Sequence, residues 1–405
     1  NANPPENHSN GSTSELNSQY QQWHGNLATQ FNWQDIDITA MTMLTKGNDI
    51  GKSSAEFPYN KVTLYPTDDN WLSSIRLSQN NRWKLAFYHH KQAWQSDIAI
   101  VEEQLITRTN IADYSADTFG SIGSLLIGDT VIGAEWMARL NINISEQEFN
   151  ANQQLAWQKD KVDADESTVG LFINHVWLID GLTINTGARY DKQKVTQNIN
   201  LLTSINIDDY TVDDEILSLS LSGQYALSTK TQLTLSLANA FRFPTVSELF
   251  FSGETPRGNT QGNINLKPEK SLGFQVDISH NVNRKLKLFA NIYNYNLDDY
   301  IERINLTDDL RTYRNSDNVT LNGFEFTAVW QENSELSSRV SYQKQKAINN
   351  QKQTVDDALP EALKWKVNWF PSVNFLQRFS FETQLVYQFK KDDFGGAEQA
   401  LPDNF

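Results

Sequence analysis

A chain of 405 residues with 49 acidic against 34 basic side chains carries a formal charge of −15. That excludes a nucleic-acid binder, because gripping phosphates needs a basic face. The lack of cysteine excludes a disulfide framework and thiol chemistry, and the lack of any run of 18 apolar residues excludes a helical membrane span. The length alone suits several soluble domains or one large barrel.

Residues 1–19, rich in Asn, Ser, Pro and Gly, hold no basic region followed by an apolar segment, so no signal peptide is visible and the stretch reads as an outer loop. Residues 20–390 read as strands and their connections. Gln21–Asn32 is the first strand, ending in a short turn at Trp33–Asp35. Thereafter long loops alternate with short turns: loop Gly47–Asn70, turn Ser78–Asn81, loop Gln92–Asp117, turn Gly128–Asp129, loop Ser145–Ser167. The alternation continues with turn Ile179–Gly181, loop Thr196–Asp213, turn Ser228–Thr231 and loop Arg242–Lys270. Turns at Asn281–Arg284, Glu332–Glu335 and Pro371–Asn374 follow, and residues 391–405 read as an outer loop. Phe405 imitates a closing aromatic residue, but Leu401-Pro402-Asp403-Asn404 before it does not alternate.

Between the turns, side chains alternate with period two. Leu217, Leu219, Leu221, Tyr225 and Leu227 share one face, and Ser218, Ser220, Ser222 and Gln224 the other. The same split places Leu363, Trp365, Val367 and Trp369 against Lys364, Lys366 and Asn368. Runs such as Ile132–Ile144 and Arg378–Phe389 exceed ten residues. A soluble strand averages about 5–6 residues, whereas a tilted membrane strand needs roughly 9–11. Trp23, Trp33, Trp71, Trp94, Trp330 and Trp369 lie near strand ends, as interfacial girdles require. These patterns predict an all-β fold: a transmembrane antiparallel β-barrel with short turns on one side and long loops on the other. About 16 strands are expected, with both termini on the outer side. An open sheet of that size would leave unpaired edges in lipid, so the chain is expected to be part of a larger barrel.

Acidic clusters at Asp163, Asp165 and Glu166, at Asp208, Asp209, Asp213, Asp214 and Glu215, and at Asp356 and Asp357 lack the spacing of a calcium loop and read as solvated loop surface. Among six histidines only His89 and His90 are adjacent, and neighbours on a strand face opposite ways. Alternation with Trp83, Leu85 and Phe87 points His89 to lipid or the rim and His90 inward. His90 is thus a candidate ligand contact, and no metal site is expected. No phosphate loop, serine elbow or zinc motif occurs, so no catalytic residues are assigned.

One stretch carries a more specific signal. Phe241-Arg242-Phe243-Pro244-Thr245-Val246-Ser247-Glu248-Leu249-Phe250 is followed by Gly262-Asn263-Ile264-Asn265-Leu266-Lys267-Pro268-Glu269. An alternating strand with Leu272, Phe274, Val276 and Ile278 comes next, then Tyr313-Arg314-Asn315 and Gly323-Phe324-Glu325. The set resembles the barrel of TonB-dependent outer-membrane receptors, in which FRAP-like and GNPNLKPE-like elements flank one outer loop. Phe243 stands where that family usually has Ala, and Ile264 where it has Pro. Neither proline can donate to a ladder, so Pro244 and Pro268 suit loop margins, and Arg242 is expected to pair with acid near the rim.

The resemblance implies a plugged barrel of about 22 strands, with this chain supplying strands 4 to 19 and no plug. It also implies a bacterial outer-membrane location, surrounding lipid, and active uptake of a ferric siderophore powered by a TonB complex acting on the plug. Haem or cobalamin would be alternative ligands, though 245–262 lacks the histidine usual in haem-importing relatives. No cofactor is implied. The rival readings are a passive porin and an outer-membrane hydrolase. In the receptor reading Lys364, Lys366, Arg339 and Glu325 line the lumen, and Phe250, Phe251 and Arg257 are further candidate ligand contacts. Flat apolar surface beside positive charge suits an anionic iron chelate. Phe241, Arg242, Pro244, Asn263, Asn265, Leu266, Lys267, Pro268 and Glu269 form the family motif and are expected first of all to shape the loop.

Overall fold

The computed structural model describes residues 19–52, 61–80, 82–102, 105–198, 210–255, 258–307, 310–350, 365–375 and 379–389. Long strands form first: β1 Gln21–Trp33, β2 Ile36–Lys52, β3 Lys61–Gln79, β4 Trp83–Glu102, β5 Leu105–Ile127, β6 Thr130–Asn150, β7 Leu155–Ile179, β8 Leu182–Gln197, β9 Tyr210–Ser228 and β10 Thr231–Arg242. A short helix, α1 Val246–Phe250, and two short strands, β11 Ser252–Thr255 and β12 Gly258–Gln261, follow. Then come β13 Glu269–Asn281, β14 Leu286–Asp298, β15 Tyr300–Asn305, β16 Leu310–Ser316, β17 Val319–Gln331, β18 Leu336–Asn349 and β19 Trp365–Phe375. The last elements are β20 Phe379–Glu382 and β21 Leu385–Gln388.

Seventeen strands make one antiparallel sheet in which β1 to β10 pair in chain order and β10 then pairs with β13, β13 with β14, β14 with β17, β17 with β18 and β18 with β19, while β11, β12, β16 and β15 form a separate four-stranded sheet. Both β20 and β21 pair with β19, so they act as one interrupted strand, and the large sheet then matches the roughly 16 strands expected. Among the described residues no ladder joins β1 to β20 or β21. The predicted turns between β1 and β18 lie where the strands reverse, with Gly128 (φ 58°) and Gly181 (φ 80°) taking the left-handed conformation that tight hairpins need. The turn expected at Pro371–Asn374 does not form: these residues continue β19, which reverses only after Phe375. The run Arg378–Phe389 is likewise broken after Glu382.

In the membrane-spanning part the faces divide as the alternation requires. Leu217, Leu219 and Leu221 stay 49–55% exposed on the outer face, as do Leu171, Ile173 and Trp177 at 47–53%, the lipid belt of a transmembrane barrel. On the lumen side four aromatic rings lie over glycines of the next strand: Tyr88 over Gly120, Phe172 over Gly133, Tyr295 over Gly273 and Tyr293 over Gly323. Bare glycine backbone beneath a ring relieves crowding on the concave face and pins the register.

Several segments expected to be loops are strand. β7 runs for 25 residues, far more than the roughly 9–11 that a tilted crossing takes. Gly47–Asn70, Gln92–Asp117 and Ser145–Ser167 are therefore largely protruding sheet. They escape the alternation rule because polarity inverts beyond the bilayer. Ile142, Ile144, Val162, Ala164 and Val195 are buried inward there, while Asn143, Asp163 and Thr196 take the outward positions. Bulges shift the register as well: Asn141, at φ 52°, lies in the break between Arg139 and Ile142, so inward positions change from odd to even numbers.

Candidate functional site

The connection from β10 to β13 folds back across the outer mouth. Pro244 is fully buried and fixes the backbone just ahead of the N-cap. Thr245 Oγ1 accepts from Glu248 N, and Glu248 Oε2 accepts from Thr245 N at 2.8 Å, a complete capping box that starts α1. Arg242 holds the helix in place. Its guanidinium donates to Glu248 at 2.8 and 3.2 Å and to Glu269, at the start of β13, at 2.8 and 2.9 Å. Hydrogen bonding to Glu269 outweighs partial burial and, with Glu248, holds this guanidinium above its ordinary range.

Beyond α1, the β11–β12 hairpin returns to Gly262, whose N–H donates to Phe251 O at 2.6 Å. A Cβ at Gly262 would stand 2.6 Å from Leu249 O, so this close approach needs glycine. Asn263 Nδ2 donates to Tyr313 O at 2.9 Å, and Asn263 Oδ1 accepts from Asn265 N. Asn315 Oδ1 accepts from Lys267 N, while its Nδ2 donates to Lys267 O and Asp299 O. Parallel pairing of β12 with β16 completes the union of this connection with the one between β14 and β17. Val246, Leu249, Phe250, Leu266 and Ile301 then bury against Ala116, Ile142, Ile144, Val162, Ala164 and Val195 on the inner face of β5–β8. Each large side chain so buried contributes roughly 1.5–3 kcal/mol. Arg108 of the wall pairs with Glu254 at 2.9 Å, tying the hairpin to it, and with Glu148 at 2.8 Å, while Lys161 pairs with Glu146 at 3.3 Å within the wall.

This cap fills only one side of the mouth. Across β4–β7 the register aligns His90, Thr118, Arg139 and Glu166 in one row, and Trp94, Tyr114, Ile144 and Val162 two inward rows above, past the row of Gln92 and Ala116. Tyr114 packs against the cap's core. Past it, Trp94 stacks on Tyr114 with centroids 5.3 Å apart and Tyr65 meets Trp94 edge-on at 5.7 Å. The Arg139 guanidinium lies 5.7 Å from the Tyr114 centroid. Among the described residues Arg139 has no hydrogen bond or ion pair, and its register partner Glu166 accepts from Gln193 at 2.7 Å instead. In the row above Arg139, Asn70 Oδ1 accepts from Gln92 at 3.2 Å and lies 3.3 Å from His90 Nε2. The arrangement is a half-buried aromatic wall with a cation that makes no hydrogen bond or ion pair among the described residues, level with His90 and below the polar pair Asn70 and Gln92.

The sequence-predicted residues divide accordingly. The motif residues Arg242, Pro244, Asn263, Asn265, Leu266, Lys267 and Glu269 build the cap, with Phe241 at the end of β10 edge-on to Phe243. Pro268 separates the Asn315 clamp from β13 and, like Pro244, marks the loop's margin. Phe250 is only 7% exposed, and its ring belongs to the core beneath the cap. Phe251 is half-buried against that core. Arg257, Lys364, Asp208, Asp209, Asp356 and Asp357 lie outside the described residues. His90 stands on the inward wall, whereas His89 faces outward beside Phe119 and Asp117. Trp94, expected in a girdle, turns inward. Tyr65 and Tyr114 were missed because the protruding strands read as loops, whereas Arg139 lies in the run Ile132–Ile144 already read as strand, where its odd-numbered position is the inward one. Among the described residues no cluster of three His, Asp or Glu could hold a metal ion.

The family model for "TonB dependent receptor-like, beta-barrel" matches residues 1–402. No curated protein matches the chain. Among solved structures, the copper transporter OprC superposes with a TM-score of 0.74 at 16% identity, covering 95% of this chain and 60% of its own. The siderophore receptor PiuA from Acinetobacter baumannii gives 0.69 at 12%, covering 100% and 68%. The alcaligin receptor FauA from Bordetella pertussis gives 0.61 at 12%, covering 91% and 60%. At these identities the likeness is one of fold, and the chain spans about 60% of the length of OprC and FauA.

Proposed function

The chain belongs to the TonB-dependent receptor β-barrel family, and from that membership we propose that it forms the barrel of a bacterial outer-membrane receptor for energy-dependent uptake of a ferric siderophore. In this reading the TonB protein, acting on a plug, drives transport, and the outer mouth selects the ligand. The observation that carries the ligand class is Arg139, which lies over Tyr114 and makes no hydrogen bond or ion pair among the described residues, with Glu166 across the register acting on it only by longer-range charge. A half-buried guanidinium with free donors on an aromatic wall favours a flat anionic chelate, which it can meet by charge, by forked hydrogen bonds and by stacking. His90, in the same row as Arg139, with Asn70 and Gln92 in the row above, supplies hydrogen bonds to its polar edge. The matched structures include one named for a siderophore and one for alcaligin, which agrees with this ligand class.

Uptake of labelled ferric siderophore by iron-starved cells making the protein tests the reading. Loss of uptake when the proton gradient is collapsed supports it. Uptake that persists without a gradient would instead identify a passive channel.

A further inference from the structure

We propose that the described residues of the two outer connections, 243–268 and 299–318, form one fixed cap that stays joined while ligand passes, so that ligand enters only along the Tyr65 and Trp94 side of the mouth. The inference rests on the uptake reading above.

Three independent features hold the cap together and down. The first is backbone: Asn259, Thr260 and Gln261 of β12 pair in parallel with Leu310, Arg311 and Thr312 of β16, and Thr312 Oγ1 donates to Gln261 O at 2.8 Å. Joining two separate connections by a ladder makes them one sheet, whose parting would leave unpaired donors and acceptors. The second is the pair of asparagine clamps: Asn263 reaches Tyr313, and Asn315 reaches both Lys267 and Asp299. The third is the seating on the wall. Leu249, Phe250, Ile301 and Leu266, none more than 7% exposed, pack with β5–β8, and Arg242 anchors α1 to β13.

A segment that opens in each transport cycle is drawn from the weakly held end of a structure, with few buried contacts and solvated backbone bonds. This cap has the opposite character. On the other side of the mouth, Tyr65 and Trp94 are only half-buried, and the cap's core does not extend past Tyr114. Passage on that side disturbs no buried core.

The absence of cysteine from the chain makes a direct test simple. Asn259 and Leu310 are register partners on adjacent strands, about 4.8 Å apart at their backbones, within disulfide reach. The variant Asn259→Cys/Leu310→Cys is made in cells, oxidised, and assayed for gradient-dependent siderophore uptake before and after reduction, with thiol labelling to verify the bond. Equal uptake in the oxidised and reduced forms is expected. Uptake that is lost on oxidation and restored by reduction would overturn the fixed cap while leaving the receptor reading intact. Failure of the unmodified protein to take up siderophore would defeat the receptor reading instead. Hydrogen exchange then decides the cap without transport: slow exchange at β12 and β16 together supports it, and fast exchange at β12 overturns it.

Discussion

Arg242 and Glu269 meet fork to fork: Arg242 Nη2 donates to Glu269 Oε1 at 2.8 Å and Nε to Oε2 at 2.9 Å, while Nη1 reaches Glu248 Oε2 at 2.8 Å. One side chain therefore fastens the last barrel residue before the cap, the first helix within it and the strand beyond it. The acid expected near Arg242 from sequence is two residues, from both sides of the loop.

Arg242→Gln keeps hydrogen-bonding capacity but removes the charge and the fork. Because the guanidinium is 40% exposed, its cost is discounted for solvent to about 1–2 kcal/mol. Faster hydrogen exchange confined to α1, β11 and β12, with barrel strands unchanged, is the expected readout. Uniform loss of protection throughout the sheet would contradict a local role.

Arg139→Gln is expected to weaken siderophore binding by roughly 10- to 100-fold, the worth of charge-assisted hydrogen bonds in a half-buried site, with the barrel still folded. Lysine there should recover only part of the loss, since it lacks the planar fork. Trp94→Ala should cost about tenfold through lost stacking. Titration of purified protein with the ferric ligand measures all three, and unchanged affinity in Arg139→Gln would move the site elsewhere.

Asn315→Ala removes the bonds to Lys267 and Asp299. With this site partly open to solvent, a loss of about 1–2 kcal/mol in cap stability follows. Proteolysis should then cut between residues 262 and 268 sooner than in the parent protein; equal resistance would show that β12 and β16 suffice to hold the segment.

Gly273→Val tests the ring-over-glycine pairs, since a Cβ at this position would stand 2.4 Å from the Tyr295 ring. Overpacking of this kind costs about 1–3 kcal/mol. Heat-modifiability on gels should show a lower unfolding temperature, and the double variant Gly273→Val/Tyr295→Ala should regain part of the loss.

Glu146, 1% exposed in the part of β6 that protrudes from the bilayer, has its carboxyl pushed up by burial, with Lys161 opposing the shift. A folded-state value above the unfolded one means that its protonated form is favoured in the fold. Its contribution is therefore fully present below the ordinary glutamate range and is lost as pH rises through the raised value. Glu146→Gln should leave cap protection unchanged in acid and increase it at neutral pH. Hydrogen exchange of β11 and β12 across that window decides the point, and a decrease at neutral pH would give the Lys161 pair the larger role.

The amino-acid sequence by itself determined the membrane-crossing part. There, lipid outside and a polar lumen inside impose a strict period of two, so Leu217 to Leu227 and Ser218 to Gln224 declare their faces without help from the rest of the chain. It also marked the cap through the motif around Arg242 and Asn263, although Arg242, Asn263 and Asn315 each reach a partner 27 to 50 residues away in the chain. Only the tertiary structure decided what happens above the bilayer. Ile142, Val162 and Val195 turn inward there because α1 and Leu266 arrive from a distant stretch of chain to cover them, and water replaces lipid on the outside. Asn141 shifts the parity at the same level, so Trp94, Tyr114 and Arg139 converge through pairings that no local pattern records. A contact made across four strands depends on register, and register at a bulge is settled by the packing of the whole sheet.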